Sequence, residues 1–182
     1  MYQLEEADIC FLDGGRGAPQ AVDTLETLAA LGVKRVISVG MCGGFSPEVA
    51  LGDILTPPKA FVEEGTSLHY YPSIAHAAPD AALWQRLRTI PGSKSLPIVS
   101  TDAVYRQTFF KEQCWRKQGA VAVDMETSAL FSVGEYLGIA VASVLMISDV
   151  HPLHPGAAPW SWEMTAGMRE QLFEAVFTAI EC

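Results

Sequence analysis

Positive charge is scarce in this sequence. Twelve lysines and arginines stand against 21 aspartates and glutamates, giving a net charge of −9 over 182 residues. Nucleic acid and anionic membranes repel such a balance, so neither is expected as a partner, although local dipoles can still hold a small anion. No apolar run reaches the length of a membrane-spanning helix, and MYQLEEADIC lacks the basic flank and apolar core of a signal peptide. Cys10, Cys42, Cys114 and Cys182 show no CxxC or finger spacing, so they read as reduced thiols of a cytoplasmic protein. The dinucleotide fingerprint GxGxxG and the nucleophile elbow GxSxG are both missing; Asp13-Gly-Gly-Arg-Gly17 is neither. No cofactor is expected. His151 and His154 have the spacing HxxH, but prolines break any helix there and no third ligand is suitably placed, so no metal is expected either.

What is present is a chain rich enough in apolar residues, at 49%, to form one compact domain over residues 1–182. Ala7 to Leu12 reads as a strand, and Pro19 suits the first turn of a helix whose apolar face is Val22, Leu25, Leu28 and Ala29. Arg35 to Val39 follows as a buried strand ending in Gly40-Met-Cys-Gly-Gly44, so this unit is expected to be a βαβ with parallel strands. Pro57 and Pro58 confine Gly52 to Glu64 to an edge or a bend. Gly65 to Pro72 is a loop dense in polar and aromatic side chains. Helices are expected over Asp80 to Arg88 and Thr108 to Gln118, with the strand Leu96 to Ser100 between them. Nine residues without alternation, Ile139 to Ile147, all apolar but Ser143, fit a central strand covered on both faces and stop at Ser148-Asp149. A loop over residues 151–159 and a last helix from Trp160 to Ile180 close the chain.

The chain is organised around Val121-Ala-Val-Asp-Met-Glu-Thr-Ser-Ala-Leu-Phe131, where a short apolar strand hands over to an amphipathic helix. Asp124 and Glu126 sit at the handover. In open α/β sheets such crevices at the carboxyl ends of strands bind ligands; the alternative is that the two acids only cap the helix and oppose its dipole. Four other apolar runs end alike, at Gly14-Gly15, at residues 40–44, at Ser100-Thr-Asp102 and at Ser148-Asp149. If all five strands are parallel, these ends line one edge and make a polar pocket for a small hydroxylated molecule. Carboxylates pair with vicinal diols, and a half-buried Asp can act as an acid near neutrality, which singles out Asp149. The competing reading leaves Ser148 and Asp149 as caps for backbone amides.

SVGMCGGFSPEVALGDIL, EEGTSLHYYP, STDAVYR, VAVDMETSALF and MISDV, in that order, resemble the nucleoside phosphorylase family, which includes uridine phosphorylases, hexameric purine nucleoside phosphorylases and methylthioadenosine nucleosidases. The resemblance implies a three-layer α/β/α sandwich around a twisted, partly barrel-like mixed sheet of the phosphorylase/hydrolase type, assembled as a homodimer or hexamer. It implies cleavage of the N-glycosidic bond of a purine or pyrimidine nucleoside. By the family's pattern Glu126 would bind the ribose hydroxyls and Met125 would pack beneath the sugar. Asp149, positioned by Ser148, would protonate a departing purine, while Cys42, Gly43, Val104, Tyr105, Val123 and Asp124 would border the base. The pattern also calls for a first strand and a phosphate-binding Gly/Arg loop ahead of these motifs, and this sequence does not carry them. Where the family offers phosphate an Arg and, three residues on, a Ser or Thr, this chain has Ser38 and Met41; Gly14 and Arg16 are the further candidates for that half of the site. Phosphorolysis, with inorganic phosphate as co-substrate, is the default reading. Hydrolysis is favoured by Ser38 and Met41, and a non-catalytic nucleoside-binding or partner subunit by the missing first strand region.

Overall fold

The computed structural model describes residues 2–4, 9–157 and 161–181. In chain order its elements are β1 (Tyr2–Leu4), β2 (Ile9–Phe11), α1 (Ala18–Ala30), β3 (Arg35–Gly44), β4 (Ile54–Leu55), β5 (Ala60–Glu63), β6 (His76–Ala77), α2 (Ala81–Leu87), β7 (Ile98–Thr101), α3 (Phe109–Lys117), β8 (Ala122–Asp124), α4 (Thr127–Leu137), β9 (Ala140–Val150), β10 (Ser161–Trp162) and α5 (Ala166–Glu181). Short 3-10 turns cover Thr66–His69 and Val104–Arg106. Eight strands form one mixed sheet in the order β10-β9-β3-β8-β7-β5-β6, with β4 added against β9.

The sheet is built on β3 and β9, which run parallel from Arg35↔Ala140 to Gly44↔Val150. Alternation along β9 divides the core between its two faces. Val141, Leu145 and Ile147 pack with Val22 and Leu25 of α1 and Ala129 and Val133 of α4. Ala142, Val144 and Met146 pack with Leu87 of α2 and Leu172 and Val176 of α5. This gives the expected α/β/α layering. A third cluster seats Trp115 of α3 on Phe45, Val99 and Val123, closing the sheet at the end where the strands finish.

Five expectations are corrected. The unit Ala7–Val39 is not a βαβ of the main sheet: among the described residues β2 pairs only with β1, antiparallel, at Gln3↔Cys10 and its neighbours, while Ala7 and Asp8 lie outside the described residues. The strands are not all parallel, since β3 meets β8 antiparallel at Gly43↔Val123 and Gly44↔Ala122. Third, β3 and β9 do not stop at their polar punctuation but continue through Gly40–Gly44 and Ser148–Asp149, because their mutual ladder satisfies the backbone there regardless of side-chain type. The last helix begins at Ala166, six residues after the expected start, and Trp160 and the end of the 151–159 loop lie outside the described residues. β5, expected at an edge or bend, lies between β6 and β7; Pro57 and Pro58 precede it.

Candidate active site

Gly43 is the pivot of the site. On one side its Cα partner is Val123 of β8, and on the other it is Asp149 of β9. The two acid-bearing strands thus flank a residue with no side chain, two strand spacings or roughly 10 Å apart. A side chain here would have to displace Asp149 and His151: a Cβ at position 43 would stand 2.7 Å from Asp149 Oδ2 and 2.8 Å from His151 Nε2. The register between β3 and β9 shifts between Cys42 and Gly43, and such irregularities re-aim side chains near sites.

Asp149 is buried and its carboxylate is held from two sides. Ser148 Oγ donates to Oδ1 at 2.8 Å, and His151 Nε2 pairs with Oδ2 at 2.9 Å. The other ring nitrogen of His151, Nδ1, lies 2.8 Å from Glu112 Oε1 on α3, while Arg116 reaches Glu112 Oε2 at 3.9 Å. Burial lowers the affinity of His151 for its proton, but hydrogen bonds to Asp149 and Glu112 and their charges prevail, raising its pKa from 6.5 to about 9. His151 is therefore an imidazolium near neutrality, seated between two carboxylates. Trp162 of β10 lies opposite Asp149 in an antiparallel pair, which puts its half-exposed indole on the same face of the sheet.

Asp124 and Glu126 have separated tasks. Asp124 caps α4: its Oδ2 accepts the Thr127 N–H at 2.9 Å and the Thr127 hydroxyl, and its Oδ1 accepts the Ser100 hydroxyl. Desolvation and, less strongly, the charge of Glu126 raise its pKa to about 6 against these three donors. Glu126, although at the N-cap position of α4, makes no side-chain cap. Its Oε1 accepts the Gly17 N–H at 2.6 Å, and its Oε2 accepts the Met125 N–H at 3.2 Å. Gly17 can present its N–H in this way because it adopts φ +83 at the entrance to α1.

The other expected residues are spread around this edge. Cys42 is buried between Asp124 and Asp149, and desolvation with those two charges pushes its thiol pKa well above 9.0, so it is unreactive there. Val104 and Tyr105 lie exposed on the 3-10 turn after β7. Gly14 and Arg16 are exposed on the loop before α1, where the Arg16 N–H donates to Gln20 Oε1 at 2.9 Å. Ser38 alternates with Val36 toward the α1/α4 layer, whereas Met41 alternates with Val39 toward the α2/α5 layer and is 45% exposed. The structure therefore does not bring Ser38 and Met41 together. His151 turns to carboxylates, and His154 Nδ1 lies 3.1 Å from the Pro155 carbonyl oxygen, so the two histidines have separate partners. Sequence reasoning missed Glu112 and the pairing of His151. The only signal for either was an acid in the first turn of α3 and a histidine two residues past the candidate acid.

The profile of the Phosphorylase superfamily matches residues 1–179. The chain belongs to this superfamily. A guanosine phosphorylase of Halorubrum lacusprofundi is 26% identical over 148 residues, covering 77% of this chain and 60% of that protein. A uridine phosphorylase of Treponema pallidum is 28% identical over 160 residues, covering 79% and 62%. Among solved structures, an AMP nucleosidase from Bacteroides thetaiotaomicron superposes with a TM-score of 0.74 at 26% identity, covering 92% of this chain and 68% of that one. The chain spans about three fifths of the length of the first two relatives. The chain shares the fold of the AMP nucleosidase structure.

Proposed function

We propose that this chain cleaves the N-glycosidic bond of a purine nucleoside, with Asp149 as the acid at the leaving base and Glu126 holding the ribose hydroxyls. The observation that carries this reading is the arrangement about Gly43, where acid-bearing β8 and β9 lie on either side of a residue whose missing side chain makes room for the Asp149 carboxylate and the His151 ring. Breaking the bond leaves a ribosyl cation and a base anion. Carboxylates near the sugar and a protonated group at the base both gain interaction energy as those charges develop. Two of about four acceptor sites on the Glu126 carboxylate are already taken by Gly17 and Met125, and the remaining two match a vicinal diol. The Trp162 indole beside Asp149 offers a face on which a flat base can stack. Relatives named as guanosine and uridine phosphorylases are compatible with this class of bond.

The bond is taken by phosphate in the default reading. A second reading, in which water replaces phosphate, is favoured by one observation: Ser38 and Met41 address opposite layers, so they do not converge on one anion. A phosphate in a crevice needs cations or several N–H donors to offset desolvation. Release of free base, measured over a panel of purine and pyrimidine nucleosides with and without phosphate, tests both. Base release saturating at micromolar phosphate with ribose 1-phosphate formed supports phosphorolysis, and release indifferent to phosphate supports hydrolysis. Nucleoside binding without any turnover would leave a binding subunit instead.

A further inference from the structure

We propose that His151 is a positioning residue for the reaction proposed above: held between Glu112 and Asp149, it stores the proton that Asp149 delivers to the leaving base. This rests on the reading of Asp149 as the acid. The geometry carries it. Nε2 meets Asp149 Oδ2 at 2.9 Å while Nδ1 is anchored 2.8 Å from Glu112 Oε1, so both ring nitrogens are occupied and the ring cannot turn without losing a partner. The His151 backbone N–H is fixed as well, donating to the Gly44 carbonyl at 2.7 Å. Gly43 leaves the space in which the Asp149–His151 contact is made.

The charged groups that face the ring are Asp149 from β9 and Glu112 from α3, with Arg116 behind Glu112. An imidazolium flanked by two carboxylates keeps its proton at neutral pH, and Asp149 beside it is then the acceptor of that proton rather than its resting place. The step balances as follows. The C1′–N9 bond breaks with its electron pair moving onto the purine; the proton on His151 Nε2 moves to the Asp149 carboxylate, and Asp149 passes it to the purine. The products are a neutral base, a neutral imidazole and an Asp149 carboxylate, and phosphate or water captures C1′. His151 regains its proton from solvent, to which its side chain remains 13% exposed. Glu112 supplies the second negative charge that makes the imidazole hold a proton until charge builds on the base.

The test compares two substrates, guanosine and N7-methylguanosine; the second leaves as a neutral base and needs no proton. His151→Asn should lower kcat for guanosine by roughly 10²-fold, within the range of general acid catalysis, while N7-methylguanosine is cleaved at a rate within about threefold of wild type, well under that range. The alkaline limb that His151 contributes near pH 9 to kcat for bound guanosine in wild type should be lost in the variant. Because Asn removes the cation beside Asp149 and leaves Glu112 with Arg116 at 3.9 Å, the double variant His151→Asn/Glu112→Gln is measured alongside and should show the same substrate split. Independently of turnover, the His151 ring protons in NMR should titrate near pH 9 and shift toward the ordinary value in Asp149→Asn. Equal losses on both substrates, or a His151 that titrates near 6.5, would overturn the assignment. If wild-type protein cleaves neither nucleoside, the proposed function fails and this inference fails with it.

Discussion

The histidine between two acids makes stability depend on pH in a defined window. In the unfolded chain His151 binds its proton with a pKa of 6.5, and in the fold with one of about 9. A group whose folded pKa is raised contributes stability that is fully present below the unfolded value and is lost as pH climbs through the folded one. The whole contribution is about 3 kcal/mol at 1.36 kcal/mol per unit. About 2 kcal/mol of it should disappear between pH 6.5 and about 8.5, where the folded imidazolium is still mostly protonated but the unfolded imidazole is not. The window is kept below pH 9 because the buried Cys42 thiol, whose pKa lies well above 9.0 in the fold, adds its own loss once the unfolded thiol ionises. Urea unfolding at half-unit pH steps measures this, with His151→Asn as reference. The variant should be less stable at pH 6.5 by about 3 kcal/mol, consistent with breaking a buried pair, and nearly flat through the window. A wild-type protein as flat as the variant would refute the ion triad.

Three further expectations follow from the same geometry. Glu126→Ala should keep its fold but lose two charge-assisted hydrogen bonds to the ribose, each worth about 1.5–3 kcal/mol, so nucleoside affinity falls about a hundredfold or more; an unchanged isotherm by calorimetry returns Glu126 to a purely structural part. Gly43→Ala places a methyl against Asp149 and His151, and should cost about 1–3 kcal/mol in thermal or urea unfolding while bringing the His151 pKa down; full stability with an unshifted histidine contradicts the close approach. Asp124→Asn should flatten the loss of stability that a carboxyl raised to about 6 imposes as pH rises from 4 to 6, an effect of about 2 kcal/mol; a slope equal to that of wild type in urea unfolding shows that Asp124 is not desolvated.

The helices were legible because their boundaries are local chemistry. Asp80 accepts the Leu83 N–H and Thr108 the Lys111 N–H, each one residue before α2 and α3, where short polar side chains outcompete helix. The apolar run of β9 was legible from its covered faces, and the acids Asp124, Glu126 and Asp149 from their place at strand ends. The strand extensions were not, since glycine, serine and aspartate carry no strand preference and only the ladder between β3 and β9 keeps them extended. Local rules fail at such places because the site needs those residues for chemistry rather than for propensity. Glu112 was hidden for another reason. It sits 39 residues from His151, on a helix whose polarity reads as solvent-facing, and only the packing of Trp115 on Phe45 and Val99 turns it inward.

Asp124, Glu126 and Asp149 share one edge, yet their surroundings decide what each can do. Asp124 is saturated by three donors from Thr127 and Ser100, so it fixes the entrance to α4 and has little capacity left for a ligand. Glu126 is tied at the backbone by Gly17 and Met125 but keeps acceptor sites, so it suits a group that only donates, such as a ribose hydroxyl. Asp149 has the His151 ring against one oxygen and the Ser148 hydroxyl against the other, which suits it to the proton transfer proposed above. Sites in which like groups are driven apart by environment divide the work of acid and binder in this way. Asp124 and Glu126 follow β8, and Asp149 lies on β9; β3 runs between them with only Gly43 at the crossing. The sheet register therefore sets the separation of the proposed acid from the carboxylate proposed to bind the sugar. A slip of one residue between β3 and β9 would turn Asp149 to the opposite face of the sheet and dissolve the site.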